Sequence, residues 1–320
     1  QGGKRKGAGC AYIEPWHLDI EDFLELRKNT GDDRRRCHDM NTALWIPDEF
    51  MLSVKKNQNW YLFNPSECPD LHESYGKEFS KHYRKYKKIA DAGDIKNYRV
   101  VNAKDLWKKI LTALYETGHP WITFKDPSNI RYSNKHEGIV HSSNLCTEIL
   151  LHTSPTKYDE GQVVQVGETA VCNLASINLA SHLKVRTIDW KKLQKTVEVA
   201  VRGLDNVINL NFYPTEEAKK ANLKHRPVGL GIMGTHDVLH KLGIPYNSKD
   251  AVVLCGKIQE FISLHAIKTS AMIAKEKGSY PSFEGSEWSK GNFPIDTYCD
   301  LMNQRDPHKP DNVYKKEDFE

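Results

Sequence analysis

Apolar residues recur along this chain in two rhythms. Over 104–117, Leu106, Trp107, Ile110, Leu111 and Leu114 fall at three- and four-residue spacing and Gly118 follows, which predicts an amphipathic helix with a glycine stop. The same period predicts helices over 189–210, through Trp190, Leu193, Val197, Val201, Leu204 and Ile208, and over 249–277, through Leu254, Ile258, Phe261, Ile262 and Ala266. A shorter helix is expected over 19–28. Short apolar runs mark the strands: "CAYI" at 10–13 and "PWITFKD" at 120–126. "TALWIPDEFM" (42–51) and "WYLFNP" (60–65) fit buried strands or short connections. Strands alternating with helices predict an α/β architecture, and no repeat, low-complexity linker or evident domain boundary interrupts it.

Composition narrows the class. The 320 residues are 39% hydrophobic and 28% charged, as in an ordinary globular protein, and the formal net charge is only +4. No general attraction to nucleic acid follows, and direct DNA binding is not expected, although "KRK" (4–6) and "RRR" (34–36) could hold phosphates. No apolar run approaches the ~20 residues of a membrane span and no secretion signal opens the chain, so a cytoplasmic location is expected. Seven cysteines at wide spacing, with no C-x-x-C, argue against both a disulfide scaffold and a zinc ribbon. The chain begins at Gln1 and stops inside "KPDNVYKKEDFE", which reads as a piece of something longer.

Four candidate chemistries compete. "GLGIMG" (229–234) has the spacing of a dinucleotide fingerprint, but "NLKHRPV" before it is a poor buried strand, so close packing around a turn is the expected explanation. His136, His141 and Cys146 lack the paired spacing of structural zinc sites, and no metal is expected there. A thiolate nucleophile at Cys146, with His141 or His152 as base, is opposed by the carboxylate of Glu148 two residues on. In "SSNLCTEI" (142–149), an extended backbone would turn Asn144, Cys146 and Glu148 to one face. A neutral thiol there suits hydrogen-atom transfer; the plain alternative is a polar strip.

"SSNLCTEI" together with "AVCNLASINL" (170–179) resembles the catalytic large subunit of class I ribonucleotide reductases, closest to the eukaryote-like branch. "GGKRKGAG", "EPWHLDIEDFLELRKNTG" (14–31), "RPVGLGIMG" (226–234) and "NFPIDTY" (292–298) carry the resemblance along nearly the whole chain. It implies part of a ten-stranded α/β barrel, with Cys146 on an inner finger loop and residues 1–320 as the central portion of the barrel domain. It also implies reduction of ribonucleoside diphosphates to deoxyribonucleotides for DNA synthesis. Cys146 would become a thiyl radical that takes the 3′ hydrogen of the ribose. Glu148 would accept the 3′-hydroxyl proton, and Asn144 would hydrogen-bond the ribose hydroxyls. Cys172 would be one half of the redox pair that protonates the departing 2′-hydroxyl and becomes a disulfide. Gly2, Gly3, Lys4, Arg5, Lys6 and Gly7 resemble the loop that relays allosteric nucleoside triphosphates to the substrate.

The implied partners are a metal-containing, radical-generating small subunit, thioredoxin or glutaredoxin as reductant and, for a split enzyme, complementary large-subunit segments. No cofactor is expected to bind this chain itself. The family's second redox cysteine, radical-relaying tyrosines, phosphate loop and C-terminal thiols do not appear, so no turnover is expected from this chain alone. The competing class is a non-catalytic remnant or assembly module that keeps the fold.

Overall fold

A computed structural model describes residues 6–305. They pack as two compact units, the first built from residues up to 153 and from 285 onward, the second from 154–284.

The first unit opens with β1 (Cys10–Ile13), α1 (Ile20–Glu25), β2 (Asn41–Ile46), α2 (Asp48–Lys55) and β3 (Asn59–Phe63). It continues through α3 (Pro69–His72), α4 (Gly76–Asp91), β4 (Tyr98–Asn102), α5 (Ala103–Thr117), β5 (Trp121–Phe124) and α6 (Lys125–Ile130). Strands β1, β2 and β5 form a parallel sheet in that order, and β3 and β4 an antiparallel pair. The expected strand at 10–13 and helix at 104–117 are present. Asn102 caps α5 by accepting from the backbone N–H groups of Lys104 and Asp105, and Gly118 ends it at φ +73°. The helix expected over 19–28 is confined to α1. "DEFM" is helical rather than extended, because Pro47 breaks the strand and Asp48 and Glu49 favour a helix N-terminus.

Helix α4 has no counterpart among the expected elements. Its buried side is Phe79, Tyr83, Tyr86 and Ala90, a helical spacing carried largely by tyrosines in a lysine-rich segment. These rings build the core: Trp60 stacks on Tyr83 at 4.2 Å and meets Phe50 edge-on at 5.0 Å. The Tyr83 hydroxyl accepts from the Tyr61 N–H at 2.6 Å, so the aromatic layer is also hydrogen-bonded to β3.

The second unit contains the hairpin β6 (Lys157–Asp159)–β7 (Gln162–Gln165), then β8 (Asn173–Asn178), β9 (Leu183–Lys184) and β10 (Thr187–Ile188). Helices α7 (Trp190–Leu210) and α8 (Glu216–His225), strand β11 (Val228–Met233) and helices α9 (Thr235–Leu242) and α10 (Lys249–Lys277) follow. The long helices stand where the periodicity places them. Val197, Val201, Ile258 and Ile262 bury against Ile177 and Leu179. Helix α11 (Pro294–Arg305) returns to the first unit, where Arg305 pairs with Asp48.

The turn expected at "GLGIMG" is a strand instead. β11 pairs in parallel with β8, Gly229 opposite Leu174 and Gly231 opposite Ser176. A Cβ on Gly229 would stand 2.4 Å from Leu174 Cδ2 and 3.6 Å from Cys172 Sγ, so close approach is the reason for that glycine. Only Gly234, at φ +78°, occupies a turn.

Candidate active site around Cys146

Two carboxylates and a lysine organise the C-terminal ends of the parallel strands. Glu14 follows β1, and Lys125 follows β5 as the first residue of α6. Lys125 is fully buried and donates to Glu14 Oε1 and Oε2 at 2.9 and 3.0 Å, and to the carbonyls of Leu71 and His72 at 2.8 and 3.2 Å. Glu14 also accepts from Trp16 Nε1 at 2.7 Å. Asp126, equally buried, accepts from the backbone N–H groups of Asp48 and Gly76 and so caps α2 and α4. Burial raises its pKa against those two hydrogen bonds.

Above this base lies the segment leading to Cys146. Asn129 clamps it by donating to Val140 O at 3.0 Å and accepting from Val140 N at 2.8 Å. Val140 packs with Trp45 and Tyr132, flanked by Tyr12, Leu150 and Leu151. From there the chain passes His141 and reaches Cys146 in a cleft walled by Asn41 and Trp121, which begin β2 and β5, with Leu114 and Ile122. The segment thus runs along the sheet opposite to its strands. The cleft holds about 660 Å³.

Residues 144–149 are not extended. Thr147 N–H donates to Asn144 O, Thr147 sits at φ +67°, and Asn144 Oδ1 accepts from Ile149 N–H at 3.1 Å. Ser143 Oγ reaches Ile149 O at 2.7 Å. The shared face expected from strand alternation is therefore replaced by a turn tied from inside by Asn144. Its Nδ2 hydrogens are the donors this amide can still offer a bound hydroxyl. Cys146 and Glu148 are both exposed. The Tyr12 hydroxyl donates to Asn144 O at 2.8 Å. Burial first, then Cys10, push the Tyr12 phenol up to about 12; Glu148 and Cys146 add to this. The phenol stays protonated, hence a donor, at neutral pH.

Cys172 lies in the second unit, half-buried immediately before β8, with Sγ 3.9 Å from Asn173 O. The strap before it is anchored by Glu168. This buried carboxylate takes His225 Nε2 at 2.6 Å and Lys224 Nζ at 3.0 Å, while His225 Nδ1 lies 2.8 Å from Ser282 Oγ. Burial pushes the Glu168 carboxyl upward, but its bonds to His225 and Lys224 outweigh this and bring it to about 2.

Of the residues read as an allosteric loop, Gly2, Gly3, Lys4 and Arg5 lie outside the described residues. Lys6 and Gly7 are exposed and irregular, leading into β1. Among the described residues, His136, His141 and Cys146 do not gather; the group that does is His72, Glu73 and His141. Sequence reasoning missed it because 68 residues separate Glu73 from His141, and it missed the Glu14–Lys125 pair, 111 residues apart, for the same reason. No described helix is long and apolar enough to cross a membrane.

Comparisons with known proteins place the chain in a family. The ribonucleotide reductase barrel domain matches residues 1–320. The chain is 55% identical over 305 residues to the ribonucleoside-diphosphate reductase subunit alpha of Chlamydia muridarum, covering 95% of this chain and 28% of that protein. It is 44% identical over 339 residues to the subunit alpha of Helicobacter pylori strain J99, covering 92% and 42%. It is 42% identical over 324 residues to the large subunit of Arabidopsis thaliana, covering 95% and 38%. The chain spans well under half the length of each of these relatives. A match along the full chain nonetheless assigns the family: this protein belongs to the ribonucleotide reductase barrel-domain family.

Proposed function

We propose that this chain is the catalytic core of a ribonucleoside-diphosphate reductase large subunit. The observation that carries the reading is the Cys146 turn, which presents a thiol to a cleft with Glu148 and Asn144 on the same short loop. A radical-generating small subunit would supply the oxidising equivalent that makes Cys146 a thiyl.

In this reading Cys146 takes the hydrogen from C3′ of the bound ribose, becoming a thiol again and leaving a carbon radical. Glu148 accepts the 3′-hydroxyl proton, help of a kind typically worth about 10²–10⁴-fold in rate. The 2′-hydroxyl departs as water with a proton from the redox dithiol to which Cys172 contributes. That dithiol delivers two electrons and closes to a disulfide, and Cys146 returns its hydrogen to C3′. The net change is one C–OH and two thiols converted to one C–H, one water and one disulfide. Thioredoxin or glutaredoxin would then reopen the disulfide, and nucleoside triphosphates would bias the substrate base through residues 2–7.

The test is Cys146→Ser in the complete large subunit that carries these residues, assayed with a radical-generating small subunit and a ribonucleoside diphosphate. Deoxyribonucleotide formation should vanish while nucleotide binding stays. Unchanged turnover in that variant would remove Cys146 from the chemistry.

A further inference from the structure

We propose that His72, Glu73 and His141 bind one divalent transition-metal ion of the zinc type. Their candidate ligand atoms lie within 4.8 Å of one another. Two imidazoles and one carboxylate, with a position left for water, form a ligand set that zinc accepts. Two ring nitrogens also favour zinc, nickel or copper over magnesium or calcium.

The scaffold beneath the cluster is built rather than incidental. The His72 carbonyl is held by the buried Lys125 ammonium, and its ring Nδ1 faces buried Glu14 Oε1 at 3.4 Å. A carboxylate behind a histidine in this way orients the ring. His141 follows Val140, which buried Asn129 clamps through both its N–H and its carbonyl. Glu73 Oε2 stands 3.1 Å from His141 Nε2, so an anionic oxygen and a ring nitrogen already converge. The rings of His72 and His141 stack at 4.3 Å.

Tetrahedral zinc with bonds of ~2.0–2.1 Å brings its ligand atoms to about 3.3 Å apart. The widest separation in the cluster must therefore contract by up to about 1.5 Å. The side chain free to close on the ion is Glu73, 63% exposed, whereas His141 is only 14% exposed and fixed. The nearest other imidazole, His152, has its Nδ1 engaged at 2.7 Å from the Ile139 carbonyl. Lys125 is the nearby cation, and Glu14 answers its charge. An ion held here would tie the end of α3 to the segment that carries Cys146. Cys146 is not among the grouped ligands, and the ion takes no part in the reduction proposed above.

The experiment is titration of Co²⁺ and Zn²⁺ into the purified full chain, read by the visible cobalt spectrum and by calorimetry. One ion per chain, with nitrogen–oxygen cobalt bands and no sulfur-to-metal charge transfer, is expected. Glu73→Gln and His141→Ala should each weaken binding at least about tenfold, a loss that outer-shell changes alone can reach. Glu73 is surface-exposed, so that variant tests the site even where His141→Ala fails to fold. Absence of binding, a sulfur-to-cobalt band lost on cysteine substitution, or unchanged affinity in Glu73→Gln would each overturn the proposal.

Discussion

The two cysteine-bearing segments are held by different physics. Beyond His141, whose ring meets the Glu73 carboxylate, the Cys146 segment is fixed by hydrogen bonds to neutral groups: the Asn129 amide on Val140, the Tyr12 hydroxyl on Asn144 O and the Asn144 amide on Ile149. The Cys172 segment is fixed by charge, through Glu168 with Lys224 and His225. Two buried carboxylates, one near each segment, also answer protons with opposite sign, since Asp126 is raised by burial whereas Glu168 is lowered by its partners. If Cys146 meets a substrate atom at fixed range as proposed above, its thiol gains from short neutral bonds, which screening leaves intact. If Cys172 alternates between dithiol and disulfide as proposed above, its thiol can tolerate a softer electrostatic mooring.

The largest effect that would test this contrast is Lys125→Met. It leaves Glu14 buried without its cation and should lower stability by about 3–5 kcal/mol, measured by urea unfolding. A loss well under that would mean that the first unit does not depend on the pair. Glu168→Gln comes next, at about 1.5–3 kcal/mol, the range for hydrogen bonds to a charged group. Hydrogen exchange should then rise at residues 169–173 and not at 142–149; equal loosening of both segments would erase the distinction.

Acid repeats that experiment more gently. Glu168 is depressed in the folded protein to about 2, against an ordinary 4.5. Its stabilising contribution is present above about pH 4.5 and declines as pH falls through about 2. Asp126, shifted upward, adds no such loss over that window, so exchange near pH 3 should loosen the Cys172 strap first. The smallest effect belongs to surface pairs: Arg202→Ala, which removes an exposed partner of Glu276, should leave the melting temperature unchanged in calorimetry.

Much of this arrangement was legible in the sequence because it is local. Helices α5, α7 and α10 announce themselves by apolar spacing, and Cys146 by its neighbours Asn144 and Glu148. Helix α4 was hidden because tyrosines carry its buried face amid lysines. The "GLGIMG" strand was hidden because its glycines serve a neighbouring strand, Leu174 and Ser176, that spacing alone cannot reveal. The turn at Thr147 escaped because period-two alternation presumes an extended backbone, and here the Asn144 side chain competes for the backbone N–H groups. Glu14 with Lys125, and His72 with His141, meet only in three dimensions.

The buried Glu14–Lys125 pair also bears on the order of folding. Its members cannot meet until a loop of more than a hundred residues has closed and three parallel strands have aligned, and such distant closures come slowly. The Cys146 segment rests on that closure through α6 and Asn129. The Cys146 loop should accordingly be among the last parts of its unit to acquire structure, with the Trp60–Tyr83 layer in place before it; pulse-labelled refolding, with Val140 protected later than Tyr61, would show that sequence.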